Sequence, residues 1–144
     1  MFSKACEYAI KSTIFIAKET LENRRTNLNE IAQAIDSPVA FTAKILQQLV
    51  RNSIIVSSKG AHGGFEIDTK ALKKLTLGSI VLAIDGDGIM NNCVLGLTHC
   101  SDTNPCPAHN KYKIIKNNTI NMLEETFIKD LAAGLGQKIG VLKN

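Results

Sequence analysis

The stretch Asn27-Leu-Asn-Glu-Ile-Ala-Gln-Ala-Ile35-Asp-Ser-Pro38, followed by Ala40-Phe-Thr-Ala-Lys-Ile-Leu-Gln-Gln-Leu-Val-Arg51, decides the fold. Thr26 or Asn27 can cap a short helix that places Leu28, Ile31, Ala32 and Ile35 on its buried side. Pro38 closes the turn that follows, because proline stops one helix and can start the next. The second helix, Ala40–Arg51, turns Phe41, Ile45, Leu46 and Leu49 inward. Thr42, Lys44, Gln47, Gln48 and Arg51 then face away. Two short helices across a turn of a few residues form a helix-turn-helix.

The chain continues with the β-branched run Ser53-Ile-Ile-Val-Ser-Ser58, the turn Lys59-Gly-Ala-His-Gly-Gly64 and Phe65-Glu-Ile67. That pattern predicts a β-hairpin with a glycine-rich tip. A hairpin directly after the second helix makes a winged helix-turn-helix. The outward polar side chains of Ala40–Arg51 suit a DNA major groove. Ser58, Lys59 and His62, at or beside the wing tip, suit phosphates or the minor groove. Each piece alone is a common packing motif or a plain turn; their order carries the DNA-binding reading.

Outward from this unit, Phe2–Leu21 has helical periodicity with Ser3 as its cap, and Asn23-Arg24-Arg25 ends it. Leu72–Ile84 reads as a helix, with Thr76 able to act as an internal cap. Asp85-Gly-Asp-Gly88 stops it and lacks the twelve-residue pattern of a calcium loop. Asn110–Leu131 returns to helix, with Tyr112, Ile115, Thr119, Met122, Leu123 and Phe127 in a stripe. At about 30 Å it is longer than a small winged-helix core needs, and pairing with its own copy in a homodimer accounts for the stripe. Ala133–Asn144 shows no period and is expected to be loosely ordered. The fold class is therefore mainly α with a small β-hairpin wing. The winged helix-turn-helix occupies 1–84, a cysteine-rich loop 85–109, and a long dimerisation helix with its tail 110–144.

That loop holds three of the four cysteines and two of the three histidines, spaced Cys93-x6-Cys100-x5-Cys106-x2-His109. Gly96, Pro105 and Pro107 disfavour regular structure, so the thiols can converge. Thiolates and imidazoles are the ligands of zinc, copper(I) and iron–sulfur clusters, and the spacing alone does not choose among them. Isolated thiols are often buried small hydrophobes, and His109 could serve only as a surface helix cap; the clustering favours ligation or redox chemistry. Cys6 is expected to pack under the first helix. His99 is a weaker ligand candidate.

Composition is compatible with a nucleic-acid partner without demanding one: net charge is +4 and 44% of residues are hydrophobic. No apolar run is long enough for a membrane span. The opening residues lack a signal-peptide pattern, so a cytoplasmic location is expected, where clustered thiols stay reduced. There is no Ser-His-Asp order, phosphate-binding glycine motif or HExxH, and no enzyme activity is expected.

The chain resembles the Rrf-two family of bacterial winged-helix regulators. The resemblance rests on Glu7-Tyr-Ala-Ile10, Asn29-Glu-Ile-Ala32, Ile45-Leu-Gln-Gln-Leu49, Ser58-Lys-Gly-Ala-His-Gly-Gly-Phe65 and the three-cysteine loop. It implies a homodimer crossed by long C-terminal helices, with recognition helix and wing on double-stranded operator DNA. It also implies an iron–sulfur cluster, 2Fe–2S or 4Fe–4S, on Cys93, Cys100 and Cys106. The fourth ligand is His109 in one type of member and, in another, an N-terminal carboxylate of the opposite subunit, here Glu7. The expected function is a transcriptional regulator, a repressor, sensing nitric oxide, redox state or cluster supply; a cluster-free thiol switch or a zinc protein is the alternative. The six-residue first gap is closer to the nitric-oxide-sensing members. Lys59 stands where arginine is common in the wing, and lysine cannot make arginine's bidentate fork.

Overall fold

A computed structural model describes residues 1–143; Asn144, the end of the expected loose tail, lies outside the described residues. Helix α1 spans Lys4–Leu21, with Ser3 Oγ accepting the Cys6 N–H at 3.0 Å. Ser3 is itself gripped from a distance. Its N–H donates to the Asp85 carboxylate at 2.9 Å, and its hydroxyl bonds the same group. Asp85, read from sequence as part of a turn, thus ties the start of α1 to the segment that leads into the cysteine loop.

Helix α2, Leu28–Ala34, opens with a full capping box. Asn27 Oδ1 accepts the Glu30 N–H at 3.0 Å, and Glu30 Oε2 accepts the Asn27 N–H at 3.0 Å. Such a cap is worth about 1 kcal/mol. Helix α3, Val39–Arg51, follows Pro38 and buries Ile45, Leu46 and Leu49. Tyr8 of α1 meets Phe41 edge-on, with ring centroids 5.5 Å apart. Ile16, Ile31, Ile35, Ile55, Ile67 and Ile80 complete the centre of the core, all at most 2% exposed.

The wing is shorter than the β-branched run suggests. Ser53 has φ +57 and bends the chain, while Ile54 and Ile55 plug the core; pairing starts only at β1, Val56–Ser58. Its partner β2 is Gly64–Glu66, antiparallel, with Ser57 opposite Phe65. Thr26 adds a bridge on the other side: the Phe65 N–H donates to Thr26 O at 2.8 Å and the Thr26 N–H to Phe65 O at 3.2 Å. Gly64 is what permits this. Its φ is +139, and a Cβ there would lie 2.8 Å from Thr26 O. Gly64→Ala is therefore expected to destabilise the protein by about 1–3 kcal/mol, seen as a lower urea midpoint with faster exchange of the Phe65 amide.

Thr76 does cap internally, as its sequence position suggested: α4 is Thr69–Leu72 and α5 Leu77–Asp85, with the Ser79 N–H on Thr76 Oγ1. A short helix α6, Gly88–Asn91, occupies part of the expected turn. The long C-terminal helix is not continuous. α7 runs His109–Glu125, Thr126 and Phe127 are extended, and α8 runs Ile128–Leu135. The break has a tertiary cause. The Leu77 N–H donates to Thr126 O at 2.8 Å and the Ile128 N–H to Leu75 O at 2.9 Å, a bridge at a β-branched–aromatic pair with little helix preference. The tail is also ordered. A 3₁₀ turn, Ile139–Leu142, packs near α2 and buries Leu142. α8 and α5 both pack on α1, and α5 also packs on α7. Gly78 lets those last two backbones meet, because a Cβ there would touch Leu123 O at 3.1 Å. No helix among the described residues is long and apolar enough to cross a membrane.

Candidate functional site

Two surfaces collect the chemistry-bearing residues. On the outer face of α3, Lys44, Gln47, Gln48 and Arg51 are all exposed. Thr42 is not. It is fully buried, its hydroxyl bonding Ser37 Oγ at 2.9 Å and Pro38 O at 3.0 Å, which corrects its place among the outward DNA-facing residues. A threonine one turn into a helix can bond back to the preceding turn, and here that bond fastens the turn between the two helices. Lys59 and His62 are exposed at the wing tip, and Ser58 is half-buried.

The wing has a brace that sequence reading passed over. Arg25, read only as part of a basic turn, donates from Nη1 to His62 O at 3.1 Å and pairs through Nη2 with Glu66 at 3.0 Å. Below it the Ile67 N–H donates to Thr20 Oγ1 at 3.1 Å. The tip is therefore held against the end of α1, with no spacing in the sequence to signal it.

The second surface is the loop from Asn92 into α7. All four cysteines are free thiols. Cys93 is nearly buried, and the backbone N–H groups of Leu95 and Leu97, with the Cys106 thiol beside them, hold its thiol below the ordinary range. Cys100 pairs differently: its Sγ lies 3.4 Å from His109 Nδ1. His109 opens α7 and is only 5% exposed, so it is no surface cap. Its backbone N–H donates to Cys106 O at 2.9 Å, and Asp102 Oδ1 sits 2.8 Å from its ring Nε2. Lys113 Nζ reaches the same oxygen at 2.7 Å. Lys113 first, then His109, holds the Asp102 carboxyl below the usual carboxylate range.

The structure thus brings Cys100 Sγ to His109 Nδ1 and ties His109 to the Cys106 carbonyl through its backbone N–H. Among the described residues no three His, Cys, Asp or Glu side chains close into one metal-binding set. The donor chemistry nevertheless fits a soft metal. A tetrahedral ion with bonds of about 2.3 Å to sulfur and 2.0 Å to nitrogen sets those atoms about 3.5 Å apart, close to the Cys100–His109 separation. Amide N–H groups aimed at Cys93 suit a thiolate. Glu7 is engaged elsewhere in its own chain, with Lys4 Nζ at 2.7 Å, and Lys4 holds its carboxyl below the ordinary range. Cys6 is fully buried on the inner face of α1, and burial, then the Asp85 charge, pushes its thiol up to about 12. Such a thiol is inert.

The architecture, a helix-turn-helix followed by a braced wing, is that of a winged-helix DNA-binding protein. The chain belongs to the Rrf2 family, described as iron-dependent transcriptional regulators, which it matches over residues 2–134. It is 31% identical over 134 residues to a candidate HTH-type transcriptional regulator of Aquifex aeolicus, covering 91% of this chain and 90% of that one. It is 22% identical to the HTH-type transcriptional regulator NsrR of Oceanobacillus iheyensis, over 89% of this chain and 86% of the relative. Among solved structures, CymR, the global cysteine regulator of B. subtilis, superposes with a TM-score of 0.77 at 21% identity, covering 93% of this chain and 97% of that one. T. potens IscR gives 0.74 at 14% identity, covering 96% and 90%. The chain is an HTH-type transcriptional regulator, and these relatives are regulators rather than enzymes.

Proposed function

We propose that the chain is a cytoplasmic, homodimeric repressor whose affinity for operator DNA is set by a labile iron–sulfur cluster. Cys93, Cys100 and Cys106 would hold the cluster, with His109 as the fourth ligand and Glu7 of the opposite subunit as the rival for that place. The Cys100–His109 pairing at metal-ligand separation, next to the third cysteine, carries the reading. When bound, the cluster supplies a centre that changes with redox state, nitric oxide and iron supply.

The chain's own residues supply the rest. Lys44, Gln47, Gln48 and Arg51 face the bases and backbone of the major groove, while Lys59, His62 and Ser58 meet the flanking phosphates. His109 begins α7, whose Leu123 packs against Gly78 of α5, and α5 in turn packs on α1. A movement at the loop thereby reaches the scaffold of the recognition helix. The signal acts through its differential affinity for two arrangements of that scaffold.

One observation favours a second reading: the Cys106 thiol is among the groups that hold the Cys93 thiol below its ordinary range, and a lowered thiol suits a thiol switch. A zinc ion on the same donors is the other cluster-free form.

Anaerobic purification with iron, sulfide and visible-absorbance measurements separates these readings, combined with gel-shift titration against duplexes selected from a random pool. About two or four irons per chain, and operator affinity that changes on exposure to nitric oxide or air, are expected. Iron at background after reconstitution, with affinity that follows thiol oxidation or zinc, sinks the cluster reading.

A further inference from the structure

Resting on that reading of the loop, we propose that Asp102 is the positioning residue of the cysteine centre. It holds His109 as the Nε2–H tautomer and so presents the Nδ1 lone pair beside Cys100. An ionised carboxylate can only accept hydrogen bonds. With Asp102 Oδ1 2.8 Å from Nε2, that nitrogen must carry the proton. Neutral imidazole has one N–H, so Nδ1 is left as the bare donor atom, and it faces Cys100 Sγ at 3.4 Å.

The surroundings fix this arrangement from both ends. The His109 side chain is only 6% exposed, and the residue's backbone N–H is bound to Cys106 O, which fixes its main chain beside the third cysteine. Lys113, one turn further along α7, holds the same Asp102 oxygen at 2.7 Å. The carboxylate is therefore clamped between a ring nitrogen and an ammonium of one helix, although it comes from the loop between the second and third cysteines. A carboxylate behind a metal-ligating imidazole orients the ring and makes it a stronger donor, and losing one typically costs 10–100-fold in metal affinity.

The test compares wild type with Asp102→Ala in two states. In the metal-free protein, nitrogen-15 correlation spectra of the imidazoles read the His109 tautomer directly. Wild type should show Nε2–H, and Asp102→Ala should lose that preference with an unchanged far-ultraviolet circular dichroism spectrum. In the reconstituted protein, the variant should surrender iron to a chelator on the order of 10-fold faster, with a shifted visible spectrum. A wild-type ring protonated at Nδ1, or a variant with the same tautomer and iron-release rate, overturns the assignment. If neither protein takes up iron, the cluster reading has failed, and the tautomer comparison in the metal-free protein still decides the role of Asp102.

Discussion

Cys106→Ala is expected to leave anaerobically purified protein without iron, sulfide or visible absorbance, and yet folded. The thiol is one of three sulfurs available to the centre, and no other cysteine in the described chain can take its place. Cys6 is sealed on the inner face of α1 with its thiol raised to about 12, far from the thiolate state that a metal needs. Stability should barely change. Cys106 is half-buried in a loop, and its structural bond, the carbonyl that accepts the His109 N–H at 2.9 Å, belongs to the backbone and survives. Substitutions of that kind usually shift stability by at most about 0.5 kcal/mol, or about 2 °C in a chain of this size. Cys6→Ala is the control and should keep its iron. If Cys106→Ala retains a full complement of iron, the ligand assignment is wrong. If wild type and variant are equally colourless but wild type alone forms a Cys93–Cys106 disulfide on oxidation, the thiol switch is the correct mechanism.

The parts of this molecule that sequence reading reached are those governed by local rules. Asn27 and Glu30 stand three residues apart before an apolar run, and they form the capping box. Ile45, Leu46 and Leu49 follow helical period and are buried. The glycine-rich turn makes the wing tip. Non-local contacts decide the rest. Thr126 and Phe127 leave the helix because Thr76 and its neighbours offer them a bridge from a segment some fifty residues earlier. Thr42 satisfies the polar pattern of a recognition helix but is drawn inward by Ser37 and Pro38. The tail lacks a period, yet Leu142 finds a place in the core. At the candidate site, the clustering of the three loop cysteines and His109 is legible in residue type and spacing. Asp102, Lys113 and Arg25 are not, because an exposed acid or base on a loop or helix looks the same in sequence whether it positions a neighbour or only meets water.

In the proposed homodimer, Ile115→Glu is expected to separate the subunits and to lower operator affinity on the order of 100-fold. α7 has two apolar faces. One carries Leu123, fully buried in its own chain. The other carries Ile114, Ile115 and Met122, exposed by 65%, 60% and 44%, while Val94, Leu95 and Leu97 of the cysteine loop are each more than half exposed. Burying a side chain of this size contributes about 1.5–3 kcal/mol, and in a twofold dimer every such contact occurs twice. A glutamate on that face would carry one carboxylate per subunit into a desolvated seam. The variant should still fold, because Ile115 contributes little to its own core. Its loss of affinity follows from geometry: two half-sites held by one dimer act as a single bivalent ligand, and two monomers must bind them separately. Sedimentation at micromolar concentration and gel-shift titration measure both effects; a variant that stays dimeric, or a wild type that is monomeric, removes α7 as the seam. The iron content of the monomer then decides the fourth ligand. A shell closed by His109 lies within one chain and survives dissociation, whereas a shell closed by a carboxylate of the opposite subunit loses its iron when the subunits part.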